Sequence, residues 1–303
     1  MRDATLDSLV RVVVPLFVML SGSLLLKSVD HPSVNLKSIG RRIGRVLLPL
    51  LVWSLFYLWW VDRSALAHPV ESMQKISTQP AMYHLWFVYM IIGLYILQPI
   101  LQVVFRASEL NAHFEWYFVA VWLIVNSVTV YVPLPFIVPM QISTLFGYGG
   151  YFIIGGLLNL PRWLNIATYK WGVLYLSGVL VTFFVTWLRT NSAGVPDELA
   201  YSYFTPNVFF AAVGAFMLLR KLRTPSEGLV KVVQQISDAS FLIYFVHVLL
   251  LEFLRYGTLG LKISTTDIHP AISIPLLAIT TFVLSTVASL LVRVIPSARR
   301  VLG

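Results

Sequence analysis

Apolar residues along this chain come in long unbroken runs, without the alternation of a half-buried strand or the single apolar face of a surface helix. Nine such runs cover Leu9–Leu26, Val46–Val61, His84–Phe105, Trp116–Val132, Ser143–Leu158, Tyr169–Leu188, Phe204–Leu219, Asp238–Leu254 and Ala271–Val294. At about 1.5 Å per helical residue, each crosses or nearly crosses a hydrocarbon layer roughly 30 Å thick. Backbone in lipid must satisfy its own hydrogen bonds, so the runs predict helices and the whole chain an all-α polytopic membrane bundle of about nine transmembrane helices. No internal repeat is evident, and the longest connection, Asp62–Tyr83, leaves room for no more than a short surface element. Residues 1–303 therefore read as a single membrane domain with no soluble domain.

Loop charge orients these spans. Fifteen Lys and Arg residues fall in loops on the side of Arg41, Arg42 and Arg45, among them Lys27, Arg106, Arg162, Arg220, Arg223, Arg299 and Arg300. Five fall opposite, namely Arg63, Lys75, Arg189, Arg255 and Lys262, while Arg2 and Arg11 at the leading end complete the total of 22. A bias of that size puts the C-terminus in the cytoplasm and the N-terminus outside. An external start is unusual for a multispan chain. Either a preceding helix restores a cytoplasmic N-terminus and brings the count to ten, or the first run inserts with its N-terminus out.

Composition agrees. The mean hydropathy is +0.80, with 58% hydrophobic, 14% aromatic and only 12% charged residues, well outside the soluble range. The net charge of +9 is spread over several short loops and forms no groove with aromatic platforms, so it reads as a topology signal and excludes nucleic acid as a partner. With no cysteine, disulfides, thiolate metal sites and cysteine nucleophiles are excluded. The first run carries Arg11 and Pro15 and lacks a small-residue cleavage pattern, so it is not a signal peptide.

Polar residues inside a bilayer are costly, and their positions point to sites. In the first run Arg11, Pro15, Val18 and Gly22 share one helical face. In the third, His84, Val88, Ile91, Tyr95, Gln98 and Gln102 form a seam that should face protein or a water-filled cavity, with Trp86 near the outer interface. In the eighth, Ser240, Tyr244, His247, Leu251 and Arg255 recur at four, three, four and four, which aligns hydroxyl, phenol, imidazole and guanidinium. Glu252 is rotated roughly 140° from His247, so it needs another helix or the outer surface as partner. The glycines of Gly147–Gly150 and Gly155–Gly156 match no nucleotide-binding pattern and predict close helix packing. P-loop, GxSxG and HExxH patterns are absent and the six histidines are dispersed, so no metal is expected. Arg41, Arg42 and Arg45 place three guanidiniums at the start of an apolar run, both a topology signal and a set of donor forks suited to phosphate or carboxylate.

Four blocks resemble the acyltransferase 3 family in its order: Val14-Pro15-Leu16-Phe17-Val18-Met19-Leu20-Ser21-Gly22, Arg42-Ile43-Gly44-Arg45-Val46-Leu47-Leu48-Pro49, His84-Leu85-Trp86-Phe87-Val88-Tyr89 and Ser240-Phe241-Leu242-Ile243-Tyr244-Phe245-Val246-His247. The nearest type is the bacterial surface-polysaccharide O-acetyltransferase, including that acting on enterobacterial common antigen. This resemblance implies a multi-pass enzyme of the bacterial inner membrane that takes acetyl from cytoplasmic acetyl-CoA and passes it to a hydroxyl of a surface or lipid-linked glycan. It assigns Arg42 and Arg45, with Arg41 beside them, to the CoA phosphates. Within this chain the polar seams themselves, not the resemblance, offer His84, His247 and Tyr244 as catalytic candidates, and Arg11, Trp86, Tyr95, Ser240 and Glu252 as substrate-binding ones. The resemblance also implies ten helices in the complete fold and a principal catalytic His on a helix preceding the one with which this sequence begins. Two other readings stay open from the residues alone: a sugar or lipid transporter or flippase, for which the paired repeats and matched broken helices are lacking, and a truncated, catalytically silent homologue.

Overall fold

The computed structural model describes residues 7–27, 34–132, 140–222, 226–258, 260, 263, 269–295, 298 and 301–302. Arg223, Lys262, Arg299 and Arg300, which contribute to the charge bias, and Arg2 at the leading end lie outside them. The described residues form helices and no strand: α1 (Val13–Leu25), α2 (Leu36–Val61), α3 (Pro69–Thr78), α4 (Trp86–Leu110), α5 (Ala112–Tyr131), α6 (Met140–Leu157), α7 (Pro161–Leu164), α8 (Thr168–Ala193), α9 (Pro206–Arg220), α10 (Glu227–Tyr256) and α11 (Pro270–Arg293). Eight of the nine apolar runs coincide with helical segments long and apolar enough to cross a membrane, and the fifth falls on a shorter apolar helix, Thr144–Leu157. That helix is short for a physical reason visible in its burial. Every residue from Gly147 to Leu158 is buried, so protein surrounds it on all sides and lipid-facing length is not required of it.

Helices α2 and α10 extend well past their apolar runs, starting at Leu36 and Glu227 where the runs start at Val46 and Asp238. The run at Val46–Val61 is the second part of a helix that starts at Leu36, where the Asn35 side chain accepts a hydrogen bond from Ser38 N at 2.9 Å and caps it. Arg41, Arg42 and Arg45 are therefore helical residues, not loop residues. Asn111 caps α5 in the same way through His113 N and Phe114 N. The Asp62–Tyr83 connection holds a 3-10 turn and the short helix α3, whose Ile76 is buried and whose Ile76 carbonyl accepts from the Tyr89 hydroxyl at 2.8 Å.

By internal packing the chain forms two compact units, one from the described residues of 1–34 and 96–223, the other from those of 35–95 and 224–303. Helix α4 begins in the second unit and ends in the first.

In the first unit α1 packs along α6 and α8 along α9. The α1–α6 pair has backbone against backbone: a Cβ on Gly22 would overlap the Phe152 carbonyl, and one on Gly155 would overlap the Met19 carbonyl. The glycines of the fifth run thus serve close helix packing, as their spacing predicts. Around this seam Tyr148, Tyr151 and Phe152 are fully buried, Trp122 meets Tyr151 edge-on with centroids 5.0 Å apart, and the Tyr151 hydroxyl donates to Tyr203 O at 2.5 Å. Asn207 ties α8 to the turn before α9 by donating to Thr182 Oγ1 and Ala200 O, both at 2.8 Å.

Gln102, the last residue of the third-run seam, is buried and faces protein. Its amide nitrogen donates to Lys27 O at 2.7 Å and its oxygen accepts from Lys27 N at 3.3 Å, clasping the chain just after α1. Gln102→Leu is expected to lower unfolding stability by about 1–3 kcal/mol, because the Lys27 backbone groups lose their partner. Thermal unfolding in detergent checks this, and an unchanged midpoint would mean that the clasp on Lys27 does not hold the fold.

In the second unit α10 packs along α11. Val46, Leu50, Trp53, Tyr57, Leu85, Val88, Leu242, Phe245 and Val246 form its core. Trp53 and Phe245 stack with centroids 5.9 Å apart and planes 2° apart, while Trp53 Nε1 donates to Leu302 O at 3.2 Å.

Candidate active site: a pair of buried imidazoles

The second unit brings His84 and His247 together. His84 sits in the 3-10 turn Tyr83–Leu85 that leads into α4, and His247 sits on α10. Their ring centroids are 5.3 Å apart, edge to face. Three phenols complete the ring of contacts on His84: Tyr57 at 5.3 Å, Tyr83 at 5.7 Å and Tyr244 at 5.5 Å. The Tyr244 hydroxyl donates to the His84 carbonyl, and the Tyr57 hydroxyl donates to Phe245 O at 2.6 Å. Both phenolic protons are thus committed to backbone, which locks α2, α4 and α10 around the imidazoles.

The two histidines differ in hydrogen bonding. His247 Nδ1 lies 2.6 Å from Tyr244 O. A carbonyl can only accept, so Nδ1 carries the proton and Nε2 keeps its lone pair, the tautomer suited to a base. His84 is 7% exposed, and neither of its ring nitrogens has a hydrogen-bond partner among the described residues. Two orphaned polar atoms on one buried ring cost roughly 1–3 kcal/mol each, which makes the ring conspicuous inside a tightly packed core. A neutral imidazole needs one donor and one acceptor, and a hydroxyl group is both.

The remaining sequence-derived residues fall at different distances from this pair. Glu252 pairs with Arg255 at 3.7 Å, one turn along α10, and its carboxylate is within electrostatic reach of the Tyr83 hydroxyl. Trp86 packs edge-on against Phe87 at 6.1 Å, and it is Phe87 that meets Tyr244, at 5.9 Å. Ser240 is exposed one turn before Tyr244 and does not share its enclosure. Tyr95 lies deeper on α4, within electrostatic reach of the Arg42 guanidinium. Arg11 belongs to the first unit, where its guanidinium stacks 4.6 Å from the Tyr201 ring, a cation–π contact. Tyr57, Tyr83 and Phe87 contact the imidazoles or Tyr244 yet carry no signal in the sequence, since aromatic residues near a membrane edge are ordinary.

Arg41 and Arg45 are exposed and Arg42 half-buried in the early turns of α2. Tyr57 lies twelve residues beyond Arg45 on the same helix, a rise of roughly 18 Å. Guanidiniums and imidazoles therefore sit toward opposite ends of α2. Among the described residues no three His, Asp or Glu side chains are grouped to hold a metal.

A family model described as an acyltransferase domain, Acyl_transf_3, matches residues 2–294. No curated protein and no solved structure matches the chain. With nearly its whole length matched and its apolar helices long enough for a bilayer, the chain belongs to the acyltransferase 3 family and is a multi-pass membrane acyltransferase.

Proposed function

We propose that this enzyme moves acetyl from cytoplasmic acetyl-CoA to a hydroxyl of a surface or lipid-linked glycan across a bacterial inner membrane, with the C-terminus cytoplasmic. The observation that carries the reading is the buried imidazole pair held by Tyr57 and Tyr244 inside a chain of this family. Arg42 and Arg45, with Arg41, hold the CoA phosphates at one end of α2, where planar donor forks match phosphate oxygens bidentately. The long pantetheine arm then runs along the helix toward the imidazoles.

At that end, His247 Nε2 accepts the proton of the glycan hydroxyl as its oxygen attacks the thioester carbonyl. The tetrahedral intermediate collapses to an O-acetyl ester and CoA thiolate, which takes up the proton from the imidazolium, so atoms and charge balance. His84 bonds the acceptor hydroxyl or the developing oxyanion through its otherwise unpartnered nitrogens. Tyr244 positions both rings, through its hydroxyl on the His84 carbonyl and its own carbonyl on His247 Nδ1. Glu252 and Trp86 are assigned to the acceptor, and Tyr95 to the arm of the donor. Transport without chemistry is the less favoured reading, because an acyltransferase domain matches residues 2–294.

Arg42→Ala combined with Arg45→Ala is expected to weaken CoA binding by about 10- to 100-fold, the loss of one or two charge-assisted phosphate contacts. Calorimetric titration with CoA on folded double mutant checks this; unaltered affinity removes the phosphate clamp from the scheme.

A further inference from the structure

A second site lies in the first unit, among residues with no part in the acetyl-transfer scheme. Val13, Leu16 and Leu20 of α1 and Phe216 and Leu219 of α9 wall an apolar groove of about 500 Å³ that ends at Asn159 and Arg220. Three other arginines of this unit are paired with carboxylates: Arg106 with Glu109 at 2.6 Å, Arg162 with Glu115, and Arg189 with Asp197 at 2.8 Å. Arg220 differs. Its Nη1 donates to Leu158 O at 2.8 Å and to Asn159 Oδ1, and no carboxylate lies within ion-pair distance of it among the described residues. Asn159 in turn donates from Nδ2 to Ser23 O at 2.9 Å, so the guanidinium is fixed against α1 at the mouth of the groove.

We propose that this groove holds one anionic phospholipid of the bilayer, with an acyl chain between α1 and α9 and the phosphate on Arg220. Charge complementarity selects the occupant. The apolar walls accept any hydrocarbon chain, but a positioned guanidinium with Nε and Nη2 still to donate matches a phosphate fork. A zwitterionic headgroup would bring its own ammonium beside that guanidinium and lose most of the attraction. The inference stands apart from the catalytic reading and survives its failure.

The test is native mass spectrometry of the purified chain with phosphatidylglycerol or phosphatidylcholine of identical chains at equal mole fraction. One phosphatidylglycerol should be retained with a preference of about tenfold over phosphatidylcholine, and millimolar inorganic phosphate should not displace it. Arg220→Gln should equalise the two lipids. Leu16→Trp, which fills the groove and leaves Arg220 and its oxygens in place, should cut retention of phosphatidylglycerol several-fold and carries the test alone should Arg220→Gln fail to fold. Equal retention in the wild type, an unchanged preference in Arg220→Gln, unchanged retention in Leu16→Trp, or displacement by phosphate alone would each overturn the proposal.

Discussion

His247→Ala is expected to cut acetyl transfer by a factor of about 10²–10⁴, the usual range for removing a general base, in protein that still folds and binds CoA. The size of the effect follows from geometry. His247 is the ring whose Nδ1 is tied to Tyr244 O, so its Nε2 keeps its lone pair without tautomer exchange, on a ring 5.3 Å from that of His84. Alanine removes that nitrogen yet leaves the backbone helix and the Tyr244 contact to His84 in place. His247→Gln supplies an amide that can hydrogen-bond but cannot take a proton, so it should be as inactive as alanine. A packing role would give the opposite pattern, with full turnover, a lowered unfolding midpoint and partial rescue by glutamine. Full turnover would also pass the base to a residue elsewhere, as the family resemblance implies.

Gly155→Val is expected to abolish the folded state, a destabilisation of more than about 3 kcal/mol, against a typical cost of about 1–3 kcal/mol for overpacking a core that can relax. Relaxation is denied here because the obstacle is the Met19 backbone carbonyl, not the end of a flexible side chain. The reciprocal contact of Gly22 on the Phe152 carbonyl fixes the same two helices from the other side. Any shift that clears one contact strains the other. Gly172 is the control: it lies on α8, and a methyl group added to its Cα would meet nothing within 4 Å. Gly172→Ala should therefore be neutral or stabilising by up to about 1 kcal/mol. Yield of monodisperse protein and thermal unfolding in detergent distinguish the two. Equal behaviour of Gly155→Val and wild type would mean that α1 and α6 do not pack backbone to backbone.

Much of the fold is legible from hydropathy alone, because lipid leaves the backbone one economical solution and long apolar runs report it directly. What hydropathy misses is where helices continue in water. The early turns of α2, with Arg41, Arg42 and Arg45, are too polar to register as a span, although the Asn35 cap and the absence of Pro or Gly-Gly breaks carry the helix through them. The fifth run shows the converse, since Gly147–Leu158 is apolar through protein burial and not through lipid contact.

The candidate site is half legible. Helical spacing aligns Tyr244 with His247 and singles out His84, because a polar residue in an apolar run is visible in one dimension. The meeting of His84 with His247, and of both with Tyr57, depends on three helices far apart in sequence, and no periodicity encodes it. Spacing also groups residues that part company in space. Gln102 shares a face with His84 but holds the backbone of Lys27, and Ser240 shares one with Tyr244 but is exposed. A helical stripe longer than about four turns outruns the size of one pocket, so its two ends meet different neighbours.

The most direct measurement is transfer of label from radiolabelled acetyl-CoA to a lipid-linked glycan by the purified chain in lipid vesicles, beside the His247→Ala and Arg42→Ala, Arg45→Ala proteins. The scheme predicts a base-labile O-acetyl ester formed by the wild type, strongly reduced in His247→Ala and restored toward wild type in the arginine double mutant at high acetyl-CoA. Folded wild-type protein that binds CoA but forms no ester, or that forms it equally well without His247, would contradict the scheme.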